Sequence, residues 1–316
     1  MKAITVAKRG DGVESMTLTD IDYPPSLEND VVVRVHAAGF TRGELTWAGT
    51  WVDRAGRDRS PSVPGHEVAG VVAELGFGTT GLTVGQRVFG LTDWTRNGSL
   101  AEYVAVEARN LAPLPASVDF VTAAAVPISG LTAWQGLFDH GCLETGQTVL
   151  IHGAAGSVGS IAVQLARDAG ARVVGTGRAQ DRDFVMELGA DAFVDLQSDD
   201  LEGIDPVDVV FDVIGGEVFE RSLGVLRAGG RIVTMAEPPP RQPRIGQAIF
   251  FVVEPDRARL VYLGRRLQDG RLRPIVGAVR PLGEAAAAFE PGQRIRGRTI
   301  IAVTVADSND SAADAR

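Results

Sequence analysis

The chain has 316 residues, 45% of them hydrophobic and 22% charged, with 38 glycines, the profile of a globular α/β protein rich in tight turns. Its formal charge of −9, from 31 basic and 40 acidic residues, gives no general attraction to nucleic acid or to an anionic membrane. A single cysteine, Cys142, excludes an internal disulfide and a thiolate zinc cluster and fits a reducing cytoplasm.

The amino-terminal MKAITVAKRGDG lacks the apolar core of a signal peptide, and no run of about 18 apolar residues follows, so a soluble, cytoplasmic protein is expected. Val-rich runs at Val31–Ala37, Glu67–Leu75, Gln86–Leu91 and Leu100–Val106, separated by Gly, Pro, Asp and Asn, predict short strands. Asp53–Val63, charged and proline-bearing, reads as a solvated loop.

From about Asp119 the pattern changes to apolar strands alternating with helical segments, the signature of parallel βαβ units. The strands are expected at Thr148–His152, Arg172–Thr176, Ala192–Leu196, Val207–Val213, Arg231–Met235 and Ile249–Val253. Apolar residues at three- and four-residue spacing predict helices over Ser157–Ala169, Arg182–Leu188 and Val218–Leu226. Arg271–Val305 returns to β-rich sequence with an Ala-rich helix near Gly283–Phe289, and Ala306–Arg316 reads as a solvated tail. The expected division is a β-rich domain over 1–118, a doubly wound α/β domain over 119–262, a return to the first domain over 263–306, and a flexible tail over 307–316.

Thr148–Arg178 places a buried-looking strand, a glycine turn, an amphipathic helix and a second strand within about 30 residues, a dinucleotide-binding unit in sequence form. Gly156 and Gly159 take the second and third glycine positions of GxGxxG, with Ala154 at the first. Gly156 lets the backbone approach a pyrophosphate and Gly159 lets the helix pack on the strand. The exposed N–H groups of Ala155, Ser157 and Val158 at the helix start are the phosphate donors.

An acidic residue at the end of the second strand would bind the ribose of NAD. Thr176, Gly177 and Arg178 stand there instead. Arg178, with Arg182 a helical turn beyond, is suited to the 2′-phosphate of NADP, so NADP(H) is the expected cofactor.

With these motifs stand VVVRVHAAG (Val31–Gly39), PGHEVAGVV (Pro64–Val72), VGQRVFGL (Val84–Leu91), SLAEYVAV (Ser99–Val106) and AAAVPISGLTAWQGL (Ala123–Leu137). Together they resemble the medium-chain dehydrogenases/reductases, specifically the zinc-independent quinone oxidoreductase group, from Met1 to about Val305. The resemblance implies a GroES-like β-rich catalytic domain built from both chain ends, with a Rossmann doubly wound parallel sheet inserted between them. It places Thr132, Ile214, Gly215, Met235 and the strand Phe250–Phe251–Val252 near the cofactor and implies a homodimer.

Zinc-dependent members resemble the chain at AAGFTRGEL (Ala37–Leu45) but carry Cys where Thr41 stands, and their second cysteine ligand has no counterpart near Pro127. A hydroxyl is a poor zinc ligand, which leaves His66 without a metal site, and no metal is expected. In the zinc-free group an Asn often stands at the place of Thr41 and a Tyr at that of Trp51. Thr41, Trp51 and His66 are therefore the candidate cleft residues. Thr41 can donate a hydrogen bond to a substrate carbonyl, and Trp51 can donate through its indole or stack on a flat ring. His66 is either an acid or a structural residue, and Glu44 and Glu67 are either orienting carboxylates or rim charges.

The expected reaction is hydride transfer from NADPH to a quinone or an α,β-unsaturated carbonyl. Two alternatives stand beside it: an enoyl-thioester reductase, and a non-catalytic NADPH-binding regulatory or structural protein.

Overall fold

In the computed structural model, which describes residues 1–199, 201–290 and 295–303, the first third of the chain forms antiparallel strands, the four Val-rich runs supplying the third to the sixth of them. They are β1 (Lys2–Thr5), β2 (Thr17–Asp20), β3 (Asp30–Gly39), β4 (Glu67–Leu75), β5 (Arg87–Leu91), β6 (Tyr103–Glu107) and β7 (Leu111–Pro113). The next six are β8 (Thr148–Ile151), β9 (Arg172–Gly177), β10 (Ala192–Asp195), β11 (Val207–Asp212), β12 (Leu226–Thr234) and β13 (Gln247–Phe250), and the chain closes with β14 (Val276–Pro281) and β15 (Arg298–Ala302). The tail expected after Val305 lies outside the described residues.

Two compact units result. One takes Met1–Ala124 and the segments beginning at Ala278 and Thr299; the other takes Ala125–Gly277 and Ile295–Arg298. These junctions fall later in the chain than the expected 118/119 and 262/263. The helix Arg257–Gln268, which the sequence reading did not single out, belongs wholly to the second unit.

In the first unit a seven-stranded sheet runs β14-β15-β3-β4-β5-β7, with β6 also on β3. Its strands alternate or bury both faces, and Val31, Val33, Val35, Val68, Val72 and Val88 form one core with Leu282, Phe289 and Ile301 from the end of the chain. Phe40 meets Phe289 edge to face at 4.6 Å. Apolar burial of this kind, worth roughly 1.5–3 kcal/mol per large side chain, holds the returning segment to the first strands.

In the second unit every strand pairing is parallel and the order is β10-β9-β8-β11-β12-β13. Chain direction across the sheet reverses between β8 and β11, and ligands of such sheets bind outside the carboxyl ends of the strands at that reversal. The expected helix Val218–Leu226 is instead Gly216–Ser222, and Leu226 already opens β12. Gly224, a weak helix former, lies between the two.

Candidate active site

In the second unit the glycine motif folds at the reversal. β8 ends at Ile151, Gly156 caps the helix Ser157–Asp168, and the amides of the first helical turn have no acceptor within the helix. Gly156 is exposed, and a Cβ on it would meet the Gly153 carbonyl oxygen alone, at 3.1 Å. Gly159 is buried, and a Cβ there would come within 2.1 Å of that same oxygen. One glycine leaves the turn open to a ligand; the other lets the helix lie on the turn.

Ala154 is fully buried, and its N–H donates to the Thr176 carbonyl at 2.9 Å. The glycine that makes the turn is Gly153, which the sequence reading passed over. Its φ is +64°, a region L side chains avoid, and a Cβ would meet Val213 Cγ2 at 2.7 Å. Its position in the left-handed region and against the β11 loop explains why Ala is tolerated one residue later.

That β11 loop is braced by Asp212, whose buried carboxylate accepts from the N–H groups of Ile214 at 2.9 Å and Gly215 at 3.0 Å. Ile214 is left half exposed, Gly215 takes φ +76°, and Met235 is tied to the Asp212 carbonyl at 3.3 Å. Thr132 is buried in the helix Pro127–Trp134.

The expected strand Phe250–Val252 is corrected: β13 ends at Phe250, and Phe251 turns its ring into the interior, 4.6 Å from His140. Phe250 and Val252 are exposed. The segment is fixed by Gln135, which donates to the Glu254 carbonyl at 2.7 Å and accepts from its N–H at 3.1 Å. Gln135 lies within the quoted Ala123–Leu137 run, yet nothing in sequence marks an amide as a clamp for a residue 119 positions away.

At the end of β9, Thr176 is buried and Gly177 is followed by Arg178, which is exposed and whose guanidinium makes no hydrogen bond or ion pair with the described residues. Arg182 does not join it. Its Nη1 donates to the Phe193 carbonyl at 3.1 Å, the guanidinium lies over the Phe193 ring, and Asp199 stands 3.9 Å away.

In the first unit Thr41 caps the short 3-10 helix Arg42–Thr46 in a capping box with Glu44. The Glu44 carboxylate is fully buried, accepting from the Thr41 N–H at 2.8 Å and from the Gly65 N–H at 2.9 Å. Glu67 is also fully buried, so neither glutamate is a rim charge.

His66 is 1% exposed. Its Nδ1 bonds Thr92 Oγ1 at 2.8 Å, and Nε2 lies 3.8 Å from Glu44 Oε2, too far for a hydrogen bond. Trp47 stacks parallel to the imidazole at 6.4 Å, and Trp94 meets it edge-on at 5.0 Å. Both indoles are half-buried. Burial, helped by the nearby Arg59 charge and opposed by Asp93, lowers the His66 pKa to about 3, so the ring is neutral near pH 7.

Trp51 is corrected from cleft to core. It is 2% exposed among the residues that pack around β3 and β4, and its indole N–H donates to the Leu45 carbonyl at 2.8 Å. The break at Trp47, between the 3-10 helix and the helix Ala48–Trp51, turns Trp47 toward His66 and Trp51 inward. Trp51→Phe is therefore expected to lower stability by about 1–2 kcal/mol through the orphaned carbonyl and lost volume. Thermal unfolding would show the loss, with KM for the acceptor unchanged.

Residues 27–116 match the family described as alcohol dehydrogenase GroES-like domain, and residues 188–296 the family described as zinc-binding dehydrogenase. Over 293 residues the chain is 32% identical to the NADPH-dependent alkenal/one oxidoreductase, chloroplastic, of Arabidopsis thaliana, a match that covers 87% of this chain and 72% of that relative. The chain belongs to the medium-chain dehydrogenase/reductase family. It is an oxidoreductase of the quinone oxidoreductase-like kind. The solved quinone oxidoreductase of Coxiella burnetii superposes with a TM-score of 0.86 at 29% identity, covering 96% of this chain and 99% of that one. A match at 35% identity to the spectinabilin polyketide synthase system protein NorB of Streptomyces orinoci takes in 84% of this chain and 13% of that much longer protein. In this medium-chain dehydrogenase/reductase no helix of the described residues is long and apolar enough to cross a membrane.

A second buried imidazole, His152, follows directly on β8. His152 is wholly enclosed, and burial lowers its pKa to about 4, with Asp212 opposing and Arg221 adding to the fall. Both imidazoles titrate lower in the folded chain than the ordinary 6.5 of the unfolded one, so the unfolded state binds more protons between those values and stability rises with pH there. Their contribution is complete above pH 6.5 and is lost progressively as pH falls toward 4 and 3. Urea unfolding at about pH 5 is expected to show a stability lower by about 2 kcal/mol per imidazole than at about pH 7.5.

Proposed function

We propose that the chain is an NADPH-dependent, zinc-independent reductase of quinones or of α,β-unsaturated carbonyls. The observation that carries this reading is the pairing of an open glycine turn at Gly156 with an exposed, unengaged Arg178 at the end of the adjacent strand. The turn offers backbone N–H groups to a pyrophosphate and Arg178 a bidentate fork to a 2′-phosphate. No acid stands at that strand end to favour NAD. The NADPH dependence of the Arabidopsis relative points the same way.

The donor set does not fit zinc. Thr41 presents a neutral hydroxyl, both Glu44 oxygens already accept backbone N–H groups, and among the described residues no three His, Cys, Asp or Glu side chains converge as ligands.

When bound, the reduced nicotinamide supplies a hydride to the electrophilic carbon of the acceptor. The chain's own residues bind, orient and stabilise. Thr41, partly exposed on a capped turn whose backbone Glu44 holds, donates a hydrogen bond to the acceptor oxygen as negative charge grows there, and solvent supplies the final proton. His66 is neutral and enclosed, held through Nδ1 by Thr92, and its Nε2 has no exposed surface from which to deliver a proton. Positioning, rather than a strong acid or base, carries most of the rate.

Absorbance at 340 nm tests the reading: NADPH oxidation is expected with a small quinone or an enone. The kinship to NorB favours one second reading, an enoyl-thioester reductase, and a crotonyl thioester in a parallel cuvette separates the two. NADPH binding with no turnover on any acceptor would replace both with a non-catalytic role.

A further inference from the structure

We propose that His152 is a positioning residue for the dinucleotide: neutral and in its Nε2–H tautomer, it locks together the three chain segments that border the cofactor crevice. The inference rests on the reading of the glycine turn as the nucleotide site.

His152 stands between β8 and the turn, and its backbone N–H donates to the Phe211 carbonyl of β11 at 2.9 Å. Its side chain then reaches in two further directions. Nδ1 lies 2.9 Å from Thr176 Oγ1 at the end of β9, and Nε2 lies 2.7 Å from Ser222 Oγ, on the helix that follows β11. Ser222 has one hydroxyl proton, and it is donated to the Val218 carbonyl at 2.7 Å. The Ser222 oxygen is therefore the acceptor toward His152, so the imidazole proton sits on Nε2 and Nδ1 must accept from the Thr176 hydroxyl. Geometry alone assigns the tautomer, and both ring nitrogens are satisfied.

The consequence lies in what Thr176 does next. Its carbonyl accepts the Ala154 N–H of the turn at 2.9 Å, and two residues later the chain reaches Arg178. One imidazole thus sets the end of β9 relative to the phosphate turn and ties both to the helix after the Asp212 loop. A fixed geometry of this kind spares the cofactor the cost of ordering the site. All three side chains are buried, so the network touches the dinucleotide only through the segments it holds.

The test is equilibrium NADPH binding by tryptophan fluorescence, beside kcat at saturating NADPH and the thermal midpoint. Ser222→Ala, a mild change that leaves the Nε2–H without its acceptor, is expected to weaken NADPH about tenfold with kcat within about twofold, the signature of a pure binding defect. Thr176→Val should weaken NADPH to a similar degree. Because both act through one imidazole, the double variant should lose clearly less than the product of the single losses. His152→Gln, which keeps a donor and an acceptor, should bind NADPH more tightly than His152→Ala. A lowered midpoint with unchanged NADPH affinity in Ser222→Ala, or fully additive losses in the double variant, would overturn the role. Wild-type protein that fails to bind NADPH at all would instead overturn the nucleotide-site reading beneath it.

Discussion

Arg178→Glu is expected to raise the Kd and KM for NADPH roughly 100-fold while changing those for NADH by no more than about threefold. The guanidinium is exposed and engages no described residue, so its removal orphans no internal partner, and a surface change of this kind costs the fold about 0.5 kcal/mol or less. The whole effect then falls on the ligand. A charge-assisted, bidentate pair to a 2′-phosphate is lost and a like charge takes its place, whereas NADH carries no phosphate at that position. Arg182→Glu supplies the contrast. Its guanidinium is committed to the Phe193 carbonyl and ring, so the two cofactors should suffer alike. Equal losses of NADPH and NADH in the Arg178 variant would dispose of the 2′-phosphate assignment.

What could be read in the sequence follows the range of the forces involved. The strand–turn–helix–strand unit was legible because period and glycine spacing are local signals: β8, β9 and the helix Ser157–Asp168 begin where the pattern places them. Within that unit the reading still gave the first glycine slot to Ala154. The true turn glycine, Gly153, is demanded partly by Val213 on another strand, a contact that no local pattern carries. Trp51 shows the same limit. A tryptophan near a candidate donor looks like a ring for a substrate, and only the break in the helix at Trp47 decides which indole turns inward. Helix Arg257–Gln268 went unread for a different reason. Its buried face is narrow, Leu260, Leu263 and Gly264 with Arg266, while Ala258, Val261, Tyr262 and Leu267 scatter apolar residues among the arginines on its other sides, which blurs the 3.6-residue period. Arg178 and Arg182 were indistinguishable as letters. The carbonyl of Phe193, eleven residues beyond Arg182, separates them.

Gly156 and Gly159, equivalent in a motif, should behave differently on substitution by Ala. At Gly159 the new methyl would lie 2.1 Å from the Gly153 oxygen and 2.8 Å from Ala154 Cα. These are backbone atoms, so the helix must lift off the turn. Overpacking of this kind costs about 1–3 kcal/mol or more, and a displaced helix carries its N–H groups away from the phosphate. Gly159→Ala is thus expected to lose thermal stability and NADPH binding together. Gly156 has φ −78° and ψ 175°, which Ala adopts without strain, and its Cβ would stand 3.1 Å from one carbonyl oxygen. Gly156→Ala should keep the fold within about 1 kcal/mol, since only that single contact must give by a few tenths of an ångström. Its methyl nevertheless occupies the exposed face that a pyrophosphate must approach, so NADPH affinity is expected to fall about 10- to 100-fold. Calorimetry beside a binding titration separates the two variants. If Gly156→Ala bound NADPH as tightly as the parent, the phosphate would have to lie elsewhere, because no ligand that packs on this turn could ignore a side chain placed there.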